Sequence, residues 1–594
     1  MTASLRLFNA VISGSRCNKE FEFLSEYGVV ITPSAYHKRE EIKAYLKQSK
    51  LDGVQLNSSF QKSWYKVKNA SLETLAQEQI LHYLTTYGFD SLGIYDEDYI
   101  YIPPAILDLP ERLPIFKIQG LPKGVLMQRC IFLLGSGVAM EQQTIEDVLE
   151  VLGEYDYQWS GKEVIRNKEA QAIIASRTGV LPTKEEDLFR CIFYQATEST
   201  LVIKSKEAIE LVTNSKFVLP SLSEEQKISL ASGFNRRKPL WMAFKLANEQ
   251  NKVAINRISK LSKKHHKPLP VNILGRLTTL EYTLTEVEKA ARSASNFALI
   301  KAINALRLHR NLHSRYYRIR NGKGWFESTK KARYFSQEKS KEYEKTLISY
   351  LKNRLRAKTA YIPKGIHYAA PTSLKQFSGA IPRGSKFEIP TTGNNTALAG
   401  IYWQGDRIDL DLKAENRHDS VGWNRSTRNE EIMFSGDVTS APKGATEWMY
   451  CRQLKSPYVL KVNGYATRDN EVQFKILLGY SQEKEIGNNY VINPNNLLFE
   501  LDSKLTQREK IIGVLAKESS SISFTLIDTG SGESRVSSQI DSADVLEHIT
   551  EENALRLGLE EIVNTTTDEE LADVNLDPKN LTKDSIITLV SKPV

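Results

Sequence analysis

The stretch Gly405-Asp406-Arg407-Ile408-Asp409-Leu410-Asp411-Leu412 alternates apolar and acidic residues with a period of two. Successive side chains of a β-strand point to opposite faces. The stretch therefore reads as a strand with Ile408, Leu410 and Leu412 in a core and Asp409 and Asp411 on the other face. The two carboxylates then stand about 7 Å apart, twice the strand rise, and repel each other unless something positive sits between them. Calcium suits that place, because it accepts about six to eight oxygens in flexible geometry. Ser435-Gly436-Asp437 and Glu447 offer further oxygens downstream. The alternative is an exposed sheet edge whose acids are simply solvated.

The surrounding sequence, from 361 to 540, has the same character. Gly and Asn turns separate short runs rich in β-branched and aromatic residues at 399–403, 408–412, 458–465, 472–480 and 521–527. Many short strands with turn signals between them predict an all-β sandwich.

Ile401-Tyr402-Trp403, Asp409-Leu410-Asp411-Leu412, Phe434-Ser435-Gly436-Asp437 and Gly444-Ala445-Thr446-Glu447 together resemble the TerD domain of tellurite-resistance and stress-response proteins. That resemblance covers roughly residues 390–530. It implies a calcium-binding β-sandwich in which Asp409 and Asp411 match the motif acids and Asp437 matches the acid of the Ser/Thr-Gly-Asp turn. Lys413 and Arg407 flank the motif here, where shorter family members carry denser acidic runs. Three upstream segments resemble uncharacterised multidomain bacterial or phage proteins with a TerD-like C-terminus: 79–88, 194–204 and Arg237-Lys238-Pro239-Leu240-Trp241.

The chain has 594 residues, 41% hydrophobic and 25% charged. That composition is globular, and the length predicts several domains. Cys17, Cys130, Cys191 and Cys451 are scattered with no CxxC pair, which argues against a zinc site or a disulfide framework and for a reducing compartment. Cys191, in the apolar run Cys191-Ile192-Phe193, reads as a buried inert thiol. No apolar run reaches about 18 residues and the N-terminus lacks a signal-peptide pattern, so the expectation is a cytoplasmic protein with no membrane span.

Charge is unevenly spread. Residues 236–358 carry 30 Lys and Arg against 8 Asp and Glu, whereas 541–594 carry 13 acidic against 4 basic residues. The fold class expected is multidomain α+β: a mixed α/β region at 1–153, a small α+β region at 154–225, a basic all-α middle at 226–360, the TerD-like sandwich at 361–540 and a loosely ordered acidic tail at 541–594. Within these, helices are expected at 72–87, 142–153, 188–194, 240–261, 280–308, 346–356 and 544–562, from apolar residues three and four apart. Extended segments are expected at 91–95, 99–102 and 201–203.

The basic block 307–323, with Lys263-Lys264-His265-His266-Lys267, suggests contact with DNA or RNA. Arg310, Arg315, Arg318, Arg320 and Lys323 would meet phosphates, and Tyr316 or Tyr317 would stack on bases. The competing reading is a solvated helical face that pairs with the acidic tail. His265 and His266 are adjacent, so on a helix they diverge by about 100° and do not share a metal. His309 and His313 are four apart, the spacing of a chelate, but no HExxH accompanies them and Arg310 and Arg315 would repel a cation. His82 reads as a packed histidine.

No P-loop, GxSxG or strand-linked GxGxxG occurs, and the Gly-rich run 529–534 lies between strands, where a turn is expected rather than a phosphate cradle. The expectation is a non-enzymatic calcium-binding stress-response or scaffold protein with protein partners. A nucleic-acid-associated protein and a structural phage or assembly protein are the alternatives.

Overall fold

The structure, a computed structural model, describes residues 1–14, 21–24, 27, 29–49, 116–160, 163–267, 272–311, 314–318, 324–328, 336–355, 359–405, 408–423, 427–464, 471–492, 496–506, 508–530, 542–578 and 580–591. The expected helix at 72–87, the segments at 91–95 and 99–102, the resemblance at 79–88, and Cys17 and His82 lie outside them. The chain is multidomain and α+β, in two compact units: Met1–Leu126 with Leu274–Lys592, and Met127–Ile273 with Pro593–Val594. Among the described residues no helix is long and apolar enough to cross a membrane.

The first unit is built around two antiparallel sheets that face each other. One has seven strands, ordered Ser420–Gly422, Leu410–Glu415, Tyr458–Gly464, Glu509–Lys517, Ser521–Gly530, Lys386–Pro390, Ile366–His367. The other has five, ordered Ile432–Phe434, Ala441–Cys451, Thr396–Gly405, Val472–Ser481, Leu497–Leu505. Phe387 of the first and Phe499 of the second meet with ring centroids 5.0 Å apart. The alternating burial of Lys386–Pro390 is the signature of a strand with one face in this core. Thr396–Gly405 and Val472–Ser481 are instead buried almost throughout. Leu398, Tyr402, Trp448 and Leu477 form a second cluster with Ile486 and Ile492 of the segment that follows Ser481, so both faces of these central strands are covered. Gly400 fits this cluster because a Cβ there would collide with the Trp448 ring paired opposite it.

A four-stranded sheet near the N-terminus, ordered Ala10–Ile12, Phe116–Leu121, Val29–Ile31, Glu22–Leu24, is parallel except for its last pair. Helix Arg39–Ser49 contributes Ile42 and Leu46 to its core. The tail does not match the expectation of loose order. Helix Ser542–Ala554 ends before the short turn Leu559–Glu561, rather than running on to 562. The strands Asn564–Thr566 and Val574–Asn575 then pair in parallel on either side of Thr359–Tyr361. Leu557, Leu559, Ile562, Leu576, Ile586 and Ile587 are all buried, each worth about 1.5–3 kcal/mol of transfer free energy. The acidic count hid these apolar residues spaced between the charges.

The basic middle is not one helical domain. The two units divide it at Leu274, and Ser314–Arg318 and Gly324–Ser328 form an antiparallel hairpin. The helix expected over 280–308 is two, Leu284–Ser293 and Asn296–Asn311. Gln337–Leu355 covers most of the segment expected at 346–356.

The second unit is helical. Gln142–Glu154 and Glu185–Thr197 appear where periodicity placed them, whereas 201–203 forms no strand. Phe189, Phe234, Trp241 and Phe244 centre its core, with Phe189 edge-on to Trp241 at 4.9 Å. The helix expected over 240–261 breaks into Lys238–Ala247 and Asn251–His265. The buried Asn251 amide decides the break: it donates to the Phe217 and Phe244 carbonyls at 2.9 and 2.8 Å and accepts from Leu219 N–H at 2.8 Å. The apolar spacing runs through the break in phase, so periodicity alone does not reveal it. Cys191 is fully buried, and burial pushes its thiol up to about 12.

Candidate metal centre

Strand Leu410–Glu415 pairs with Tyr458–Gly464 along its length, placing Asp411 opposite Asn463. On its other side the pairing with Ser420–Gly422 begins only at Lys413. The 410–412 edge therefore has no strand partner there among the described residues. Upstream, the Trp403 indole N–H donates to the Ile408 carbonyl at 3.0 Å and anchors the approach to the strand. Leu410 and Leu412 are fully buried, as the alternation requires, and Asp409 precedes the strand half-buried. Asp411 is only 2% exposed, which removes the reading of a solvated edge for this residue.

The open edge faces the turn that carries Asp437. Gly436 has φ +115°, a conformation that favours glycine, and a Cβ there would run into the Asn488 amide. That amide donates to the Asp437 carbonyl at 3.2 Å. Ser435 N–H donates to the Trp448 carbonyl, and Trp448 N–H to Ser435 Oγ, both at 2.9 Å. Glu447, one residue before Trp448, is fully buried. Its Oε2 accepts from Leu412 N–H at 2.7 Å and its Oε1 from Val438 N–H at 3.0 Å. One carboxylate thus ties the residue after Asp411 to the residue after Asp437. Sequence reading noted Glu447 as a nearby acid; its strap role follows from pairing Ile401 with Glu447, which no local spacing encodes.

The outcome is that Asp409, Asp411 and Asp437 each offer one carboxylate oxygen, all within 4.8 Å of one another. Oxygens about 2.3–2.6 Å from one calcium ion lie no more than about 5 Å apart, so the three fit around a single ion of that size. Asp409 Oδ1 and Asp411 Oδ2 are buried and have no hydrogen-bond partner among the described residues. Burial, then Asp409 and Asp437, pushes the Asp411 carboxyl up to about 7, against a hydrogen bond from Asn463 that lowers it. Burial and then Asp437 raise that of Asp409. Burial likewise holds Glu447 well above the usual range, opposed by its two N–H donors. The arrangement stores like charge that a hard divalent cation would neutralise. An all-oxygen donor set favours calcium, magnesium or manganese over zinc or copper.

Of the residues expected to meet nucleic acid, Arg310 is the one whose side-chain surroundings the described residues show. Arg310 donates to Ser340 Oγ at 3.2 Å and forms an ion pair with Glu344, its side chain 12% exposed. It is committed inside the fold and is not a surface cation. Arg307 donates to Glu344 at 2.7 Å and to both Glu561 oxygens at 2.9 and 2.6 Å, so the tail does neutralise part of the block. Arg315 and Arg318 lie on the first strand of the hairpin, and Arg320, Lys323 and His313 fall outside the described residues. Comparisons with protein-family models, with curated proteins and with solved structures found no match to this chain.

Proposed function

We propose that this chain is a non-enzymatic, cytoplasmic calcium-binding protein of the TerD-like kind, in which Asp409, Asp411 and Asp437 hold one calcium ion. Loading would draw the 410–412 edge and the 435–438 turn together around the ion, with Glu447 as the strap behind them. The rigid surface so formed would recruit a protein partner in a stress response. The observation that carries this reading is the buried, unpartnered Asp411 Oδ2 beside two further carboxylates within 4.8 Å. A buried carboxylate with one oxygen unpartnered and two like charges beside it is costly, and a cation is the simplest compensation.

The test is calorimetric titration of calcium into the full-length protein beside Asp411→Asn and Asp409→Asn/Asp411→Asn, with magnesium as competitor. The expected result is a single saturable site that raises Tm and is lost in the double variant. Folded wild-type protein that shows neither heat nor a Tm shift would refute it.

A further inference from the structure

Helix Asn251–His265 and the two residues after it carry six Lys and Arg and no Asp or Glu. Asn251, Ile255, Ile258 and Ser262 face the core. The opposite face presents Val253, Arg257, Lys260, Lys264 and Lys267 at steps of four and three, with Lys263 beside them, all exposed. This cationic face belongs entirely to the second unit. It shares nothing with the Asp409 site or with the Arg307–Glu561 contact.

The two halves of the stripe differ. Arg257 is paired with Glu224 at 2.6 Å, and Lys252 with Glu249. Lys260, Lys263, Lys264 and Lys267 have no ion pair among the described residues, and the neighbouring segment 226–237 contains no acid. Lys260 sits three and four residues from Lys263 and Lys264, a like-charge arrangement that destabilises an isolated helix. The helix dipole favours cations in the last turn, which accounts for Lys263 and Lys264 but not for the stripe as a whole. The end of the stripe is held in place: Lys267 N–H donates to the Ser232 carbonyl at 3.2 Å, and Arg236 donates to the Lys267 carbonyl at 2.9 Å.

We infer that this preformed face binds the phosphate backbone of a nucleic acid without reading its sequence. From Lys260 to Lys267 the stripe runs about 10 Å at 1.5 Å per residue, the span of about three phosphates at 3.4 Å per nucleotide along one strand. The exposed apolar residue on this face, Val253, at 79% exposure, lies in the first turn of the helix, away from the four lysines. The lysines therefore form a row of point charges with no apolar anchor among them, which fits a polyphosphate better than a lipid surface.

The experiment is fluorescence anisotropy of full-length protein with a short labelled DNA duplex and a single-stranded RNA, across a salt series. The variant is Lys260→Gln/Lys263→Gln/Lys264→Gln/Lys267→Gln. The matched control is Lys339→Gln/Lys341→Gln/Lys345→Gln/Lys352→Gln on the helix Gln337–Leu355. The stripe variant should bind at least about tenfold more weakly, and its slope of log K against log salt should fall by about three to four units. The control should keep the wild-type slope, and the four Lys→Arg changes should restore binding. Absent or salt-insensitive binding by wild-type protein overturns the inference. So does an unchanged slope in the stripe variant.

Discussion

Asp528 and Asp411 are 3% and 2% exposed and belong to the same seven-stranded sheet, yet their surroundings are opposite. Asp528 accepts from Lys510 Nζ and Ser503 Oγ, both at 2.6 Å, and has Arg383 at 3.5 Å. Although burial opposes ionisation, Lys510 and then Arg383 hold its carboxyl below the usual carboxylate range. Asp411 has two other aspartates where Asp528 has cations, and burial pushes it up to about 7. Among the described residues, one buried aspartate has its own counter-charge and the other has none. A buried ion pair is satisfied within the fold; a buried acid cluster is where a cation would be most strongly favoured. That difference is the physical ground for separating a structural acid from a candidate ligand.

The contrast breaks most visibly at Lys510. Lys510→Met removes the closer of the two cations beside the buried Asp528 and should cost about 3 kcal/mol or more, measured by urea unfolding, with calcium affinity unchanged. Glu447→Gln should cost less, about 1–3 kcal/mol, because one of the Leu412 and Val438 N–H groups then meets an amide donor. As a positioning residue it should also weaken calcium binding about tenfold or more, which a purely structural role would not do. The smallest effect is on pH dependence, and it has opposite signs for the two aspartates. Asp411 has a raised folded pKa, so its contribution is present below its unfolded pKa and is lost as pH rises through about 7. The metal-free protein should lose a few degrees of Tm between pH 5 and 8. Asp528, with its pKa lowered, contributes above its unfolded pKa and loses that contribution only in acid. His367 sits 3.2 Å from both Glu388 and Glu560, and its pKa is raised chiefly by the hydrogen bond with Glu560, so its contribution is likewise lost as pH rises. Asp411→Asn should flatten the Asp411 share of the profile and leave that of His367. Saturating calcium should do the same in the wild type.

Within the candidate site, sequence reading went a long way. The alternation at 408–412 placed Leu410 and Leu412 inward, and Asp409, Asp411 and Asp437 do converge. Period-two patterns are local, and so is the Gly-Asp turn, which is why they could be read without coordinates. The burial of Asp411 could not be read. It depends on the open edge left by the short strand Ser420–Gly422 and on the turn that closes over it. The helix pair split by Asn251 was hidden for a related reason, since a buried amide stops a helix through carbonyls 7 and 34 residues away.

The sequence by itself determined where strands and helices alternate, which acids share a strand face and where charge accumulates, because each follows from neighbours along the chain. Only the tertiary structure decided which charges are answered. Arg307 and Arg310 are neutralised by Glu344 and Glu561, while Lys260, Lys263, Lys264 and Lys267 have no ion pair among the described residues. Asp528 is answered by Lys510, and Asp411 Oδ2 has no partner among the described residues. Electrostatic partners are chosen through space, across separations such as the 254 residues between Arg307 and Glu561, so a charge count along the chain cannot tell a paired charge from a free one.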